Sequence, residues 1–179
     1  MFASFVITFR EVLEAALVIV VVLAYLKKAG RAEYYKNVWI GLASGVVLSI
    51  ILAFFFNMVY GGLTGGAEKI FEGVSMFLAA ALITWMIIWM SAKRHLVKEL
   101  EAKVDREISE KDAMGITALV AVAVMREGVE FAIFMQAASF AGASSLFGAI
   151  SGAVLAVALG YVLFAGTGRI RVKTFFNIT

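Results

Sequence analysis

The sequence predicts an all-α, polytopic helical membrane protein with five spans and its N-terminus outside, and three observations carry that prediction. Of 179 residues, 63% are hydrophobic and only 16% are charged, at a mean hydropathy of +0.95, far from the balance of an ordinary soluble domain. Apolar runs of the roughly 20 residues needed to cross a bilayer recur over 5–26, 38–59, 70–90, 114–140 and 146–165. The basic residues between them fall on alternate connections, so they share one side.

The first run is broken by Arg10, Glu11 and Glu14 and has no basic segment before it, so it reads as a retained span and not as a cleaved leader. Lys27, Lys28, Arg31 and Lys36 follow it. The second run ends in the turn Gly61-Gly62-Leu63-Thr64-Gly65-Gly66. The third opens with Glu68 and Glu72 and closes near Trp85 and Trp89, which, like Trp39, read as interface anchors. A charged segment over 93–112 carries Lys93, Arg94, Lys98, Lys103, Arg106 and Lys111 balanced by acids, with Glu99 four residues before Lys103. It is expected to be a solvated helical hairpin. Ser109 followed by Asp112 resembles a capping box opening the fourth span. The fifth span follows the turn 141–145 and leads to Arg169, Arg171 and Lys173. The positive-inside rule makes the three basic connections cytoplasmic.

Composition also excludes whole classes of function. The net charge of +3 is spread over short loops and forms no single patch, so no nucleic-acid partner is expected. Without cysteine there is neither a disulfide framework nor a thiolate metal site. His95 is the one histidine, and a lone loop histidine reads as a surface residue. No resident cofactor is expected.

Two Arg-Glu-x-x-Glu clusters sit inside spans one and four: Arg10-Glu11-Val12-Leu13-Glu14 and Arg126-Glu127-Gly128-Val129-Glu130. In a helix, Glu11 with Glu14, and Glu127 with Glu130, lie at i,i+3, and each arginine stands one turn before the second glutamate. Spans two and five carry small residues every fourth position, at Gly41, Gly45, Ser49 and Ala53 and again at Gly148, Gly152, Ala156 and Gly160, a spacing that lets helices approach closely in lipid. The chain therefore divides into a first three-helix repeat over 1–92, a cytoplasmic charged loop over 93–112, and a second, incomplete repeat over 113–179. With an odd number of spans per unit, the two copies must be inverted, an arrangement that places transported substrates at the repeat interface. The second unit lacks a sixth span, so the sequence is expected to be partial.

Burying the clusters is costly. Each ionised residue at a helix centre costs about 2.5–3.5 kcal/mol on the insertion scale, against about 0.3–0.6 kcal/mol returned by each large apolar residue. Their charged faces must therefore turn toward each other. Four acids against two arginines leave room for a cation. Oxygen ligands without cysteine or a neighbouring histidine suit iron, manganese, calcium or magnesium better than Cu(I), and Met125 and Met135 beside the second cluster read as packing residues. A buried ion-pair lock or a proton relay is the plainer reading. Glu72 reads either as an outer cation attractor or as a helix-start acid, and Glu68 more simply as the latter.

With these motifs the chain resembles the high-affinity iron permeases of fungi and their bacterial and archaeal counterparts, the oxidase-dependent iron transporter family. Phe71-Glu72-Gly73 leading to Thr84-Trp85-Met86 is similar to the family's third span, and the segment from Arg169 is similar to the lead into its sixth. The first motif departs mildly, with Val12 where the family usually has glycine. The resemblance implies seven spans, a transporter and not an enzyme, and a multi-pass location in the cell membrane. It implies iron, as Fe(II) or Fe(III), held by Glu11, Glu14, Glu127 and Glu130, with Arg10 and Arg126 as motif partners and Glu72 as an outer candidate. It also implies an extracytoplasmic oxidase or iron-delivery partner. A membrane di-iron carboxylate oxidase, a divalent-cation channel and a purely structural subunit are the alternatives from other classes. The first lacks the Glu-x-x-His ligands of ferritin-like bundles.

Overall fold

The computed structural model describes residues 1–92, 96–109 and 112–166. Lys93, Arg94, His95, Lys111, Arg169, Arg171 and Lys173 lie outside the described residues, as does the side chain of Trp89. Among the described residues every regular element is helical. In order these are α1 (Phe2–Lys28), a single 3-10 turn (Ala32–Tyr34), α2 (Tyr35–Gly61), α3 (Gly66–Ala92), α4 (Leu96–Ser109), α5 (Ala113–Phe140) and α6 (Leu146–Gly166). Each expected span coincides with a helix, extended by a few residues at most ends. By length and composition, 32–61 and 146–165 are apolar enough to cross a membrane. In α1 and α5 the three charges of each motif interrupt the apolar run.

Both motif helices stop in the same way. After α1, Gly30 at φ 70° lets its N–H reach Lys27 O and the N–H of Arg31 reach Leu26 O. After α5, Gly142 at φ 66° does the same with Ser139 O and Ala138 O. These paired bonds satisfy the last carbonyls, and a left-handed residue is needed to make them.

The segment over 93–112 corrects two expectations. It is not a solvated hairpin: its described part is one helix, α4, whose Val104 and Ile108 are buried, with Leu100 packed behind them. Apolar residues at i, i+4 and i+8 give α4 a face, and that face closes over the end of α1 and the start of α5. Tyr25 Oη donates to Asp105 Oδ1 at 2.8 Å and ties α1 to it. The capping box does not form as expected either, because Asp112 is itself the N-cap of α5, its carboxylate accepting from the N–H of Met114 at 2.9 Å.

Loop contacts fix the directions of the helices. Ser4 Oγ donates to Ala143 O and accepts from Ser145 N–H, so the start of α1 lies beside the α5–α6 turn. At the opposite end Asn37 donates to Ala113 O and to Thr117 Oγ1. Helix α2 thus runs parallel to α5, α6 runs parallel to α1, and the two motif helices are antiparallel. The starts of α1 and α6, the 62–65 turn and the end of α5 share one end, called here the first end. The α1–α2 connection, α4 and the start of α5 share the second.

The most extensive packing joins α1 to α6 and α2 to α5, with α1 and α5 meeting between them. Glycines make both pairs possible. A Cβ at Gly41 would lie 2.7 Å from Thr117 O, and one at Gly45 2.7 Å from Ala121 O. One at Gly152 would lie 2.5 Å from Phe5 O, and one at Gly148 would run into Met1 O. The match is positional, since Met1 and Thr117 each stand nine residues before a motif arginine, and Phe5 and Ala121 each stand five before. Outward faces of α2, α3 and α6, including Phe54, Phe55, Phe77, Val154 and Val157, are exposed and apolar, the pattern of helices solvated by lipid.

Candidate cation site

The antiparallel crossing of α1 and α5 brings the motifs together near the middle of each helix. One carboxylate oxygen from each of Glu11, Glu14 and Glu127 lies within 4.8 Å of the others. Oxygens bound to a common hard cation at about 2.0–2.6 Å are separated by at most about 4–5 Å, so small side-chain adjustments suffice for all three to share an ion. Glu11 is 2% exposed, Glu127 8% and Glu130 9%.

The arginines bind mainly within their own motifs. Arg10 Nε donates to Glu14 Oε1 at 3.1 Å, and its Nη1 lies 3.5 Å from Glu11 Oε1. The Arg10 guanidinium also stands 5.8 Å from the centroid of the Phe134 ring across the helix interface, a cation–π distance. Arg126 Nε donates to Glu130 Oε1 at 2.9 Å. The Arg10 side chain is 28% exposed and that of Arg126 is 48% exposed, so the two copies are not equivalent in their surroundings.

Pairing does not satisfy the acids. Both oxygens of Glu11 and Oε2 of Glu127 are buried and accept no hydrogen bond among the described residues. Buried carboxylate oxygens left in this state are energetically costly, and a pure ion-pair lock would leave none. Oxygen donors from two helices, turned toward one point and incompletely neutralised, can replace the water shell of a cation.

Of the candidate residues, the structure therefore gathers Glu11, Glu14 and Glu127. Glu130 lies on the same stretch of α5 but is held by Arg126. Glu72 is elsewhere: at the first end, it accepts from Tyr60 Oη at 3.0 Å, with Glu68 at 3.4 Å from the same hydroxyl. Its position near the start of α3 separates it from the carboxylate cluster. Trp39 and Trp85 are exposed, as expected of anchors.

Two residues escaped sequence reasoning. Phe134 stands one turn past Glu130, a spacing that would have flagged it. Thr8, 3% exposed with an unpartnered hydroxyl, falls with Ser4 and Glu11 on a polar stripe of α1 visible in an otherwise apolar run. Ser49, expected from its small-residue stripe to lie at a close helix approach, fills the space above Gly128, where any Cβ would meet its Oγ; the sequence did not name that partner.

Beside the cluster lies a cavity of about 1020 Å³, bordered by Glu11, Glu127 and Gly128 and by residues of α2, α3 and α6.

The model of the iron permease FTR1 family matches residues 1–179. Ferrous iron permease EfeU of Yersinia pestis is 33% identical over 184 residues, covering 100% of this chain and 65% of the relative. Ferrous iron permease EfeU of Escherichia coli O6:K15:H31 is 34% identical over 184 residues, covering 100% and 67%. An uncharacterized protein of Archaeoglobus fulgidus is 32% identical over 180 residues, covering 100% and 63%. The chain thus spans slightly less than two thirds of the length of the Yersinia and Archaeoglobus relatives. No solved structure matches it. With its whole length matched by the family model, the chain belongs to the iron permease FTR1 family.

Proposed function

We propose that this chain is a transporter that carries iron inward across the cell membrane, and that the cargo ion is held midmembrane by Glu11, Glu14, Glu127 and Glu130 together. The observation that carries the reading is the convergence of carboxylates from two antiparallel helices, with the Glu11 oxygens and Glu127 Oε2 buried and accepting no hydrogen bond among the described residues. Such groups are retained in a lipid-facing chain when a ligand completes them. The bacterial relatives' names, ferrous iron permeases, support iron as the cargo.

In this reading the arriving ion draws Glu14 and Glu130 away from Arg10 and Arg126, and the guanidiniums hold the acids in place when the ion has left. Residues 1–92 and 113–179 act as inverted repeats joined by 93–112, and their relative rocking opens the site to alternate sides. The position-matched packing of α1 with α6 and α2 with α5 supports that division. The N-terminus is outside by the positive-inside rule, so the first end faces outward. Glu72 with Tyr60 sits at that end and serves as an outer cation attractor, where an extracytoplasmic oxidase or iron-delivery partner would hand over its metal.

The test is uptake of radioactive iron, ferrous and ferric, into liposomes containing wild type, Glu14→Gln or Glu130→Gln. Saturable uptake lost in both variants is expected. Undiminished uptake in both would remove the carboxylates from the mechanism.

A further inference from the structure

The cavity beside the carboxylates is lined asymmetrically along its length. On the first-end side of Glu11 and Glu127 it presents Asn57 of α2, Ser75 of α3, Gln136 and Ser139 of α5, and Ser144 of the following turn, set among apolar residues that include Phe56, Phe71, Ile133 and Met135. On the second-end side it presents Ile19, Val20, Leu23, Leu42, Val46 and Phe164, and the polar side-chain atoms on that side are limited to the indole N–H of Trp39 and the hydroxyl of Tyr161. Beyond that side, Val22, Leu26, Val38, Ile116 and Val120 form a core with no measurable exposure, over which Val104 of α4 closes.

A cation stripped of water does not readily cross an apolar passage, because aliphatic and phenyl side chains cannot replace its hydration. Amide carbonyls can do so, being hard oxygen donors. Asn57 and Gln136 supply two of them. Asn57 lies about 12 Å along α2 from Ser49, which borders the cavity near Glu127, and Gln136 lies about 13 Å beyond Glu127 along α5. Asn57 also stands one turn before Tyr60, which holds Glu72.

Resting on the permease reading, we infer that Asn57, Gln136 and Ser139 form the outer access path, positioning the partly dehydrated cation between the first end and the Glu11–Glu127 carboxylates, while the apolar half and α4 close the path toward the second end. The state described here is therefore open outward. These residues are positioning residues, and their role is delivery.

Because the chain contains no cysteine, single cysteines report without background. Asn57→Cys, Gln136→Cys, Val20→Cys and Val46→Cys are each exposed to a membrane-impermeant methanethiosulfonate reagent added to the first-end side of metal-free proteoliposomes. Labelling at 57 and 136 at least tenfold faster than at 20 and 46 is expected, and Mn²⁺ in the medium should slow it at 136. Equal labelling at all four positions, or faster labelling at 20 and 46, would overturn the inference. In parallel, Asn57→Leu/Gln136→Leu is measured for ferrous iron uptake and for equilibrium binding in detergent. Uptake reduced at least tenfold with binding retained is expected, whereas wild-type uptake, or loss of binding together with uptake, contradicts a delivery role. Absence of uptake by wild type would sink the permease reading itself, while the labelling pattern would still report which side reaches the site.

Discussion

Gly128 offers the sharpest structural test, because the two motifs differ there and the packing differs with them. In α5, Gly128 lies under Ser49 of α2, whose hydroxyl donates to Gly45 O at 2.8 Å and occupies the space of an absent Cβ. In α1 the same motif position is Val12, and the corresponding α6 residue is the smaller Ala156, which is fully buried against Leu13 and Leu17 with Val12 at the edge. Bulk has moved from one partner to the other. Gly128→Ala should therefore collide with Ser49 and cost about 1–3 kcal/mol, the range for overpacking a tight interface. For a chain of this size, where 1 kcal/mol corresponds to about 2–4 °C, the melting temperature in detergent should fall by about 2–12 °C. Adding Ser49→Gly should recover most of the loss, and a double-mutant cycle should return a coupling of the same size. A stable Gly128→Ala protein, or a double variant no better than the single, would refute the close approach on which the α2–α5 geometry rests.

Three further outcomes follow from the same contacts. Ile108→Ala should destabilise the protein by about 2–5 kcal/mol in denaturant titrations, as for other buried aliphatic truncations; a solvated α4 would give no measurable change. Arg10→Lys should impair iron uptake more than Arg126→Lys, since Arg10 reaches Glu11, Glu14 and the Phe134 ring and is the less exposed of the two, and a compact ammonium reproduces neither the fork nor the stacking. Glu72→Gln should raise the half-saturation concentration for uptake severalfold at low salt and leave equilibrium binding in detergent unchanged, because Glu72 is held by Tyr60 away from the carboxylate cluster.

Much of this arrangement was legible before any coordinates. Five apolar runs located five helices to within a few residues, since long apolar runs bounded by glycine-rich or charged turns leave little choice of helix ends. The charged motifs pointed to each other because nothing else could compensate them, and the glycines at 41, 45, 148 and 152 marked the close interfaces. What stayed hidden depended on contacts between distant segments. The apolar stripe of α4 was outvoted by its charges, although Leu100, Val104 and Ile108 lie at regular helical spacing. Glu72 read in sequence either as an outer cation attractor or as a helix-start acid, and its contact with the Tyr60 hydroxyl at the first end came only from the placement of α3 beside the end of α2. The Ser49–Gly128 fit and the Phe134–Arg10 contact join residues far apart in the chain, and no local pattern encodes such pairs.

The central claim is that one cation site is built jointly by two helices. Its most direct test is the stoichiometry of ferrous iron binding to the purified protein under anaerobic conditions, measured by titration calorimetry for wild type, Glu11→Gln and Glu127→Gln. One ion per chain in wild type is expected, with affinity reduced at least tenfold, about 1.4 kcal/mol, by either substitution alone. Two ions per chain, with each substitution abolishing only one of them, would mean that each motif holds its own metal and that the shared site does not exist.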